Sequence, residues 1–319
     1  MATDTISLQI PAITQPPIIS RPPRPAILQR IGNTPLLPLQ RLTTELPPSV
    51  EVYVKAEWFN PGGSVKDRPA LRMIEQAELR GDLQPGMTII DATSGNTGIG
   101  YALVGVTKGY PVTLVMPENV SEERVRIARA YGAEVILTPA SEGVDGSIRY
   151  VHGLVARYPD RYYHPDQYNN PDNWLAHYHS TGPEIWRQTE GRITHFVTAI
   201  GTTGTFMGVG RYLKAQNPAI QLISVEPVDA ANVIEGVKHM ATSIVPGIYD
   251  PRLKDGEVRV TKAQAIAMAR RLAREEGLFV GFSAGAAVHS ALQAARELDA
   301  GVVVTVLADG GMKYVSVWD

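Results

Sequence analysis

Three stretches of this sequence carry residue types and spacings suited to chemistry. The first is Ala92-Thr93-Ser94-Gly95-Asn96-Thr97-Gly98, between an apolar run ending at Asp91 and an amphipathic stretch that begins near Thr97. Hydroxyls, glycines and unpaired backbone N–H groups at a helix start form a cradle for a carboxylate or a phosphate. The second, Gly201-Thr202-Thr203-Gly204-Thr205, follows the apolar run His195–Ile200 and opens another helix. Either loop alone is compatible with a tight turn, but two at equivalent positions favour a ligand with two anionic ends. The third is Asn60-Pro61-Gly62-Gly63-Ser64-Val65-Lys66-Asp67-Arg68. Pro-Gly-Gly stops a strand there, and Ser64 with Asp67 reads as a capping box for the next helix. Lys66 then falls in the first helical turn, where the positive end of the helix dipole favours its neutral amine. A neutral amine is what imine formation with an aldehyde requires. A surface lysine is the alternative that these residues alone leave open.

These loops need a scaffold, and the apolar pattern supplies one. Short runs rich in β-branched residues occur at Glu51–Ala56, Met87–Asp91, Pro111–Met116, Ala133–Thr138, His195–Ile200, Gln221–Val225 and Val302–Leu307. Amphipathic stretches alternate with them at Lys66–Arg80, Thr97–Lys108, Ser121–Tyr131, Gly143–Tyr158, Asn173–Thr189, Gly204–Ala215, Lys262–Glu276 and Ala284–Leu298. Such alternation predicts an α/β fold of βα units around a mostly parallel sheet. In open sheets of that kind, ligands sit beyond the carboxyl ends of strands, where both glycine loops fall.

Composition narrows the chemistry. The chain has 319 residues, enough for about two domains, and no cysteine. Disulfides, thiolate metal sites and a cysteine nucleophile are thereby excluded. The 30 basic and 32 acidic residues leave a net charge of -2 with no long block of either sign, which argues against nucleic-acid or anionic-membrane partners. The apolar runs are far shorter than the roughly 18 residues of a membrane span. Neither loop has the spacing of a dinucleotide fingerprint or the Gly-Lys-Ser/Thr ending of a P-loop. His177 and His179, two apart on a predicted helix, point to different faces, so no metal site is expected. Trp174, Tyr178 and Trp186 recur at helical spacing and read as core or subunit contact. Residues 1–27, with six prolines, read as a flexible Pro-rich arm without the pattern of a secretory signal.

Taken in order, the motifs resemble the cysteine synthase B branch of the cysteine synthase and cystathionine β-synthase family of fold-type II pyridoxal phosphate enzymes. They are Ile31-Gly32-Asn33-Thr34-Pro35-Leu36, Pro61–Arg68, Thr93–Gly98, Asp166-Gln167-Tyr168-Asn169-Asn170-Pro171, Gly201–Thr205, Gly281-Phe282-Ser283-Ala284-Gly285 and Lys313-Tyr314-Val315-Ser316. The resemblance implies a tryptophan synthase β-like fold with two domains, each a twisted, mostly parallel sheet flanked by helices. Residues 28–59 and 166–319 would form the larger, cofactor-binding domain, and 60–165 the smaller, mobile one. It further implies that Lys66 holds pyridoxal 5'-phosphate as a Schiff base and later removes the substrate α-proton. Asn96 would bond the ring hydroxyl oxygen, Gly201, Thr202, Thr203, Gly204 and Thr205 the phosphate, and Ser283 the pyridine nitrogen. Thr93, Ser94, Gly95, Thr97 and Gln167 would hold the substrate carboxylate.

The implied reaction is β-replacement on an activated serine through an aminoacrylate. A serine beside the ring nitrogen, in place of a carboxylate, gives a weak electron sink, which suits a leaving group that departs as the α-proton is removed. O-acetylserine is the expected acceptor and sulfide the expected nucleophile. O-phosphoserine is the second acceptor, for which Lys238 in the 226–249 segment would pair with the phosphate; a solvated Lys238 stays open. Thiosulfate, giving S-sulfocysteine, is the second nucleophile. Two further alternatives are a cystathionine β-synthase-like condensation of serine with homocysteine, and a catalytically silent relative acting as a binding partner. A cytoplasmic homodimer is expected. The chain ends soon after Ser316, where relatives generally continue toward the active-site mouth, so a looser site or a shifted specificity is expected.

Overall fold

The computed structural model describes residues 24–93 and 95–318. Most of the Pro-rich arm, and Ser94 in the loop after Ala92, lie outside the described residues. Two sheets organise the chain. The first two strands are β1 (Leu36–Pro38) and β2 (Val50–Ala56), followed by α1 (Asp67–Arg80). Next come β3 (Thr88–Ala92), α2 (Asn96–Lys108), β4 (Val112–Pro117), α3 (Glu122–Ala130), β5 (Glu134–Thr138), α4 (Gly143–Arg157) and β6 (Tyr162–Tyr163). The chain continues through α5 (Pro171–His179), α6 (Thr181–Gln188), β7 (His195–Ala199), α7 (Gly204–Gln216) and β8 (Gln221–Pro227). It finishes with β9 (Gly256–Val260), α8 (Lys262–Glu275), α9 (Phe282–Arg296) and β10 (Gly301–Leu307).

Six strands pair in the order β1-β2-β10-β7-β8-β9 and four in the order β5-β4-β3-β6. Every pairing is parallel except β1 with β2. Parallel strands are covered by helices on both faces, so their sequences are apolar nearly throughout rather than alternating. β10 shows this: Val303 and Leu307 enter one core cluster with α8 and α9, while Val302, Val304 and Val306 enter another with α7. A third core lies between α1, α2 and the four-stranded sheet, around Met73, Ile74, Tyr101 and Leu114. The strands the sequence pattern misses are the short or marginal ones. β1 and β6 have three and two residues, and β9 is an edge strand whose exposed Glu257 and Arg259 break the apolar run.

Two local expectations are corrected. The helix expected over Asn173–Thr189 is two helices, α5 and α6, divided at Ser180 with φ −132° and ψ −70°. The Ser180 hydroxyl donates back to the Ala176 carbonyl at 2.6 Å and accepts Arg68 Nη1 at 3.0 Å. Trp186 therefore sits on a different helix from Trp174 and Tyr178; both tryptophans pack with Tyr212 against the core of the six-stranded sheet. Nor do Ser64 and Asp67 form a capping box. Ser64 is buried in a bridge to Asp309, Lys66 is itself the N-cap residue of α1, and Asp67 Oδ2 accepts from the Gly62 N–H at 2.5 Å.

Candidate active site

β3 and β7 end at the same crevice, and the loops that leave them open α2 and α7 there. The crevice holds a cavity of about 420 Å³, joined to a smaller recess through shared walls at Lys66, Gly201, Thr202, Gly236 and Ser283. Thr93, Asn96, Thr97, Gln167 and Lys238 also line the larger space. Thr203, Gly204 and Thr205 line the recess. The residues singled out from the sequence thus converge on one site, apart from Ser94, which is not described, and Gly95, which lies off the cavity wall. Gly95 has φ +154°, and a Cβ there would sit 2.2 Å from Arg124 Cδ, so its requirement is steric.

Lys66 stands between the cavity and the recess. Its side chain is half-buried, and Nζ makes no hydrogen bond among the described residues. Burial pushes the amine below the usual lysine range, against the opposing pull of Asp309 and Glu57. The neutral-amine expectation holds in direction, and its main cause is desolvation rather than a helix dipole.

The recess is shaped for a phosphate. A Cβ on Gly201 would sit 2.3 Å from the Gly236 carbonyl oxygen, and one on Gly204 2.0 Å from Asn173 Oδ1. Thr203 adopts φ +69°, unusual for a β-branched residue, and its buried hydroxyl has no partner among the described residues. An orphaned donor beside the orphan N–H groups of the α7 first turn is the arrangement an anion satisfies. Asn173 braces the loop, donating from Nδ2 to Thr202 Oγ1 at 3.0 Å and to the Gln167 carbonyl at 2.6 Å. His177 lies beneath it, buried between Thr181 at 2.9 Å and Thr205 at 3.4 Å. Burial and the Arg68 charge push His177 down to about 3, so the ring is neutral.

The loop between β3 and α2 is tied from behind. Thr93 Oγ1 accepts from the N–H groups of Gly95 at 3.1 Å and Gly98 at 3.3 Å. Thr97 Oγ1 donates to Gln167 Oε1 at 2.7 Å, and Gln167 Nε2 donates to the Ala92 carbonyl at 3.2 Å. At the mouth, Lys238 is half-buried with Nζ 4.8 Å from the centre of the Tyr168 ring, and one long hydrogen bond, 3.4 Å, runs to the Ile244 carbonyl.

Sequence reasoning gave no role to several residues on or behind the cavity wall. Arg124 of α3 pairs with Glu235 at 2.8 Å and lies 4.5 Å from the centre of the Tyr314 ring. Arg68, two residues after Lys66, is buried against Glu57 and Glu184. Charged residues in a single sequence read as surface, and no local spacing shows that they pair at long range. Asn173, by contrast, was within reach, since it follows the Asn169-Asn170-Pro171 motif.

Comparison with known proteins agrees with this geometry. The family model described as pyridoxal-phosphate dependent enzyme matches residues 27–309. Cysteine synthase from Aquifex aeolicus is 52% identical, over 93% of this chain and 92% of its own. The chain belongs to the pyridoxal-phosphate-dependent enzymes, in the cysteine synthase family. Cysteine synthase B from Pseudomonas aeruginosa is 49% identical over 92% of this chain and 96% of its own. The crystal structure of cysteine synthase from Entamoeba histolytica superposes with a TM-score of 0.87 at 36% identity, covering 95% of this chain and 93% of that one. The family's cofactor is pyridoxal phosphate, and the recess with its orphaned Thr203 hydroxyl, the half-buried Lys66 amine and the Ser283 hydroxyl fit such a group.

Proposed function

We propose that this chain forms L-cysteine by replacing the acetate of O-acetyl-L-serine with sulfide, using Lys66 as the residue that carries pyridoxal phosphate. One observation carries the reading: a desolvated lysine amine stands between two anion cradles in a single cavity. Bound pyridoxal phosphate supplies an electron sink for the substrate α-carbon. The protein does the rest. Gly201 to Thr205 bind the phosphate, Asn96 bonds the ring hydroxyl oxygen and Ser283 is the partner of the ring nitrogen. Thr93, Ser94, Thr97 and Gln167 orient the substrate carboxylate. Lys66 Nζ, whose pKa burial lowers, receives the α-proton as the β-substituent leaves. Residues 60–165 form the smaller unit that closes over the substrate, a reading supported by the four-stranded sheet, whose strands all come from Thr88 to Tyr163. The working form is a cytoplasmic homodimer.

Lys238 supports a second acceptor. A half-buried ammonium on the cavity wall with one long carbonyl bond suits a phosphate dianion, so O-phosphoserine is included, as is thiosulfate in the nucleophile's place. The test is cysteine formation by the purified holoprotein from O-acetylserine or O-phosphoserine with sulfide. Lys66→Ala abolishes both reactions, and Lys238→Ala lowers kcat/KM for O-phosphoserine at least about 10-fold more than for O-acetylserine. Absence of cysteine from either acceptor contradicts the proposal, and equal effects of Lys238→Ala on both acceptors remove Lys238 from it.

A further inference from the structure

The Lys313-Tyr314-Val315-Ser316 stretch has no task in the reaction above, yet it ends at the site. After β10 the chain runs along the cavity edge and ties into the smaller unit. Ser121 Oγ donates to the Lys313 carbonyl at 3.1 Å, and Ser316 donates to Glu123 from its N–H at 2.8 Å and its hydroxyl at 2.9 Å. The Lys313 side chain turns inward and is buried. Its Nζ donates to the Gly62 carbonyl at 2.7 Å and to Asn96 Oδ1 at 2.8 Å. On the other side of the same amide, Asn96 Nδ2 donates to Asp309 Oδ2 at 2.6 Å, which also accepts from the Tyr314 hydroxyl at 2.6 Å.

These partners decide which way the Asn96 amide faces. An asparagine amide can usually turn over, exchanging its oxygen and nitrogen at little cost. Here it cannot, because Lys313 Nζ donates on one side and Asp309 Oδ2, which also takes the Tyr314 hydroxyl, accepts on the other. Oδ1 must face Lys313 and Nδ2 must face Asp309. Nδ2 carries two hydrogens, and Asp309 takes one. The other remains for an acceptor in the cavity that Asn96 lines. A donor bonded to Oδ1 also polarises the amide and strengthens the N–H at its far end.

We infer that Lys313 is a positioning residue: through Asn96 Oδ1 it fixes the amide so that the free Nδ2 hydrogen is presented to the cofactor's ring hydroxyl oxygen. The inference rests on the assignment of Asn96 to that oxygen. Lys313 touches neither cofactor nor substrate in this scheme, and its effect passes through one amide. It also joins the Gly62 turn, four residues before Lys66, to that amide, so the lysine loop and the α2 start share one anchor. Gly63, at φ +74°, leaves the space: a Cβ there would lie 3.3 Å from Lys313 Cε.

The test is a double-mutant cycle on the holoenzyme with Lys313→Met, Asn96→Ala and the pair together. It reads kcat and KM for O-acetylserine, the cofactor dissociation constant and the visible absorbance of the bound cofactor. Lys313→Met is expected to lower kcat/KM by about 10- to 100-fold, the range for a lost hydrogen bond to a charged group, and to shift the absorbance in the direction Asn96→Ala does. The double variant is no worse than Asn96→Ala alone. Should Lys313→Met fail to fold, Lys313→Gln carries the same cycle. A wild-type spectrum and activity in the Lys313 variant, or losses that multiply in the double variant, overturn the inference. An Asn96→Ala protein with unchanged spectrum and activity instead overturns the assignment of Asn96, and the two failures are distinguishable.

Discussion

Arg68→Met tests how the lysine-bearing turn is held. Arg68 donates to Glu57 at 2.7 and 2.8 Å, to Glu184 at 2.7 and 2.8 Å, and to Thr34 Oγ1 at 3.1 Å and Ser180 Oγ at 3.0 Å. Lys55 completes the cluster with Glu184 at 2.7 Å, so two cations face two carboxylates, all buried. Methionine of similar length fills the space but leaves both carboxylates with Lys55 as the remaining cation of the cluster. Removing one partner from a buried ionic group costs about 3–5 kcal/mol, and that is the expected loss in urea unfolding at neutral pH followed by circular dichroism. Arg68→Lys keeps the charge without the planar fork and loses about 1–3 kcal/mol. The pH dependence carries a sign. Burial pushes the Glu184 carboxyl up, but Arg68 and Lys55 hold it down to about 2 from an ordinary 4.5. Its contribution is therefore full above pH 4.5 and lost as pH falls toward 2, a slope that Arg68→Met flattens. A loss below about 1 kcal/mol in Arg68→Met would refute the claim that this cluster anchors the turn.

Other outcomes follow from single residues. Gly204→Ala drives a Cβ into Asn173 Oδ1, so titration of the apoprotein with cofactor is expected to show at least about a 10-fold weaker dissociation constant, while an unchanged constant removes the steric requirement. His177 is held neutral at about 3, below its ordinary 6.5. Its stabilisation is complete above pH 6.5 and lost as pH falls toward 3, and His177→Gln reduces the acid destabilisation measured across that window.

Much of the site was legible because its chemistry is local in sequence. Lys66, Thr93, Asn96, Thr97 and Thr202 to Thr205 lie where strands feed helix starts, and two such turns rich in hydroxyls and glycines at equivalent positions point to one ligand. The sheet strands were legible for a similar reason, since burial on both faces leaves β4 and β10 almost wholly apolar. The misses share another cause. Ser180 divides a helix where its hydroxyl turns back on Ala176 and meets Arg68, 112 positions away, and the following Gly182-Pro183, which removes a helical N–H, is the local signal that went unread. Arg68, Arg124 and Lys313 each become interior through partners brought in by the fold. β9 reads as surface because Glu257 and Arg259 answer to solvent at a sheet edge.

The most direct test is borohydride reduction of the purified holoprotein followed by peptide mass mapping. The pyridoxyl mass is expected on the peptide carrying Lys66 and to be absent from Lys66→Ala. Its appearance on a peptide carrying Lys55, Lys238 or Lys313, or on none, would contradict the placement of the chemistry at Lys66.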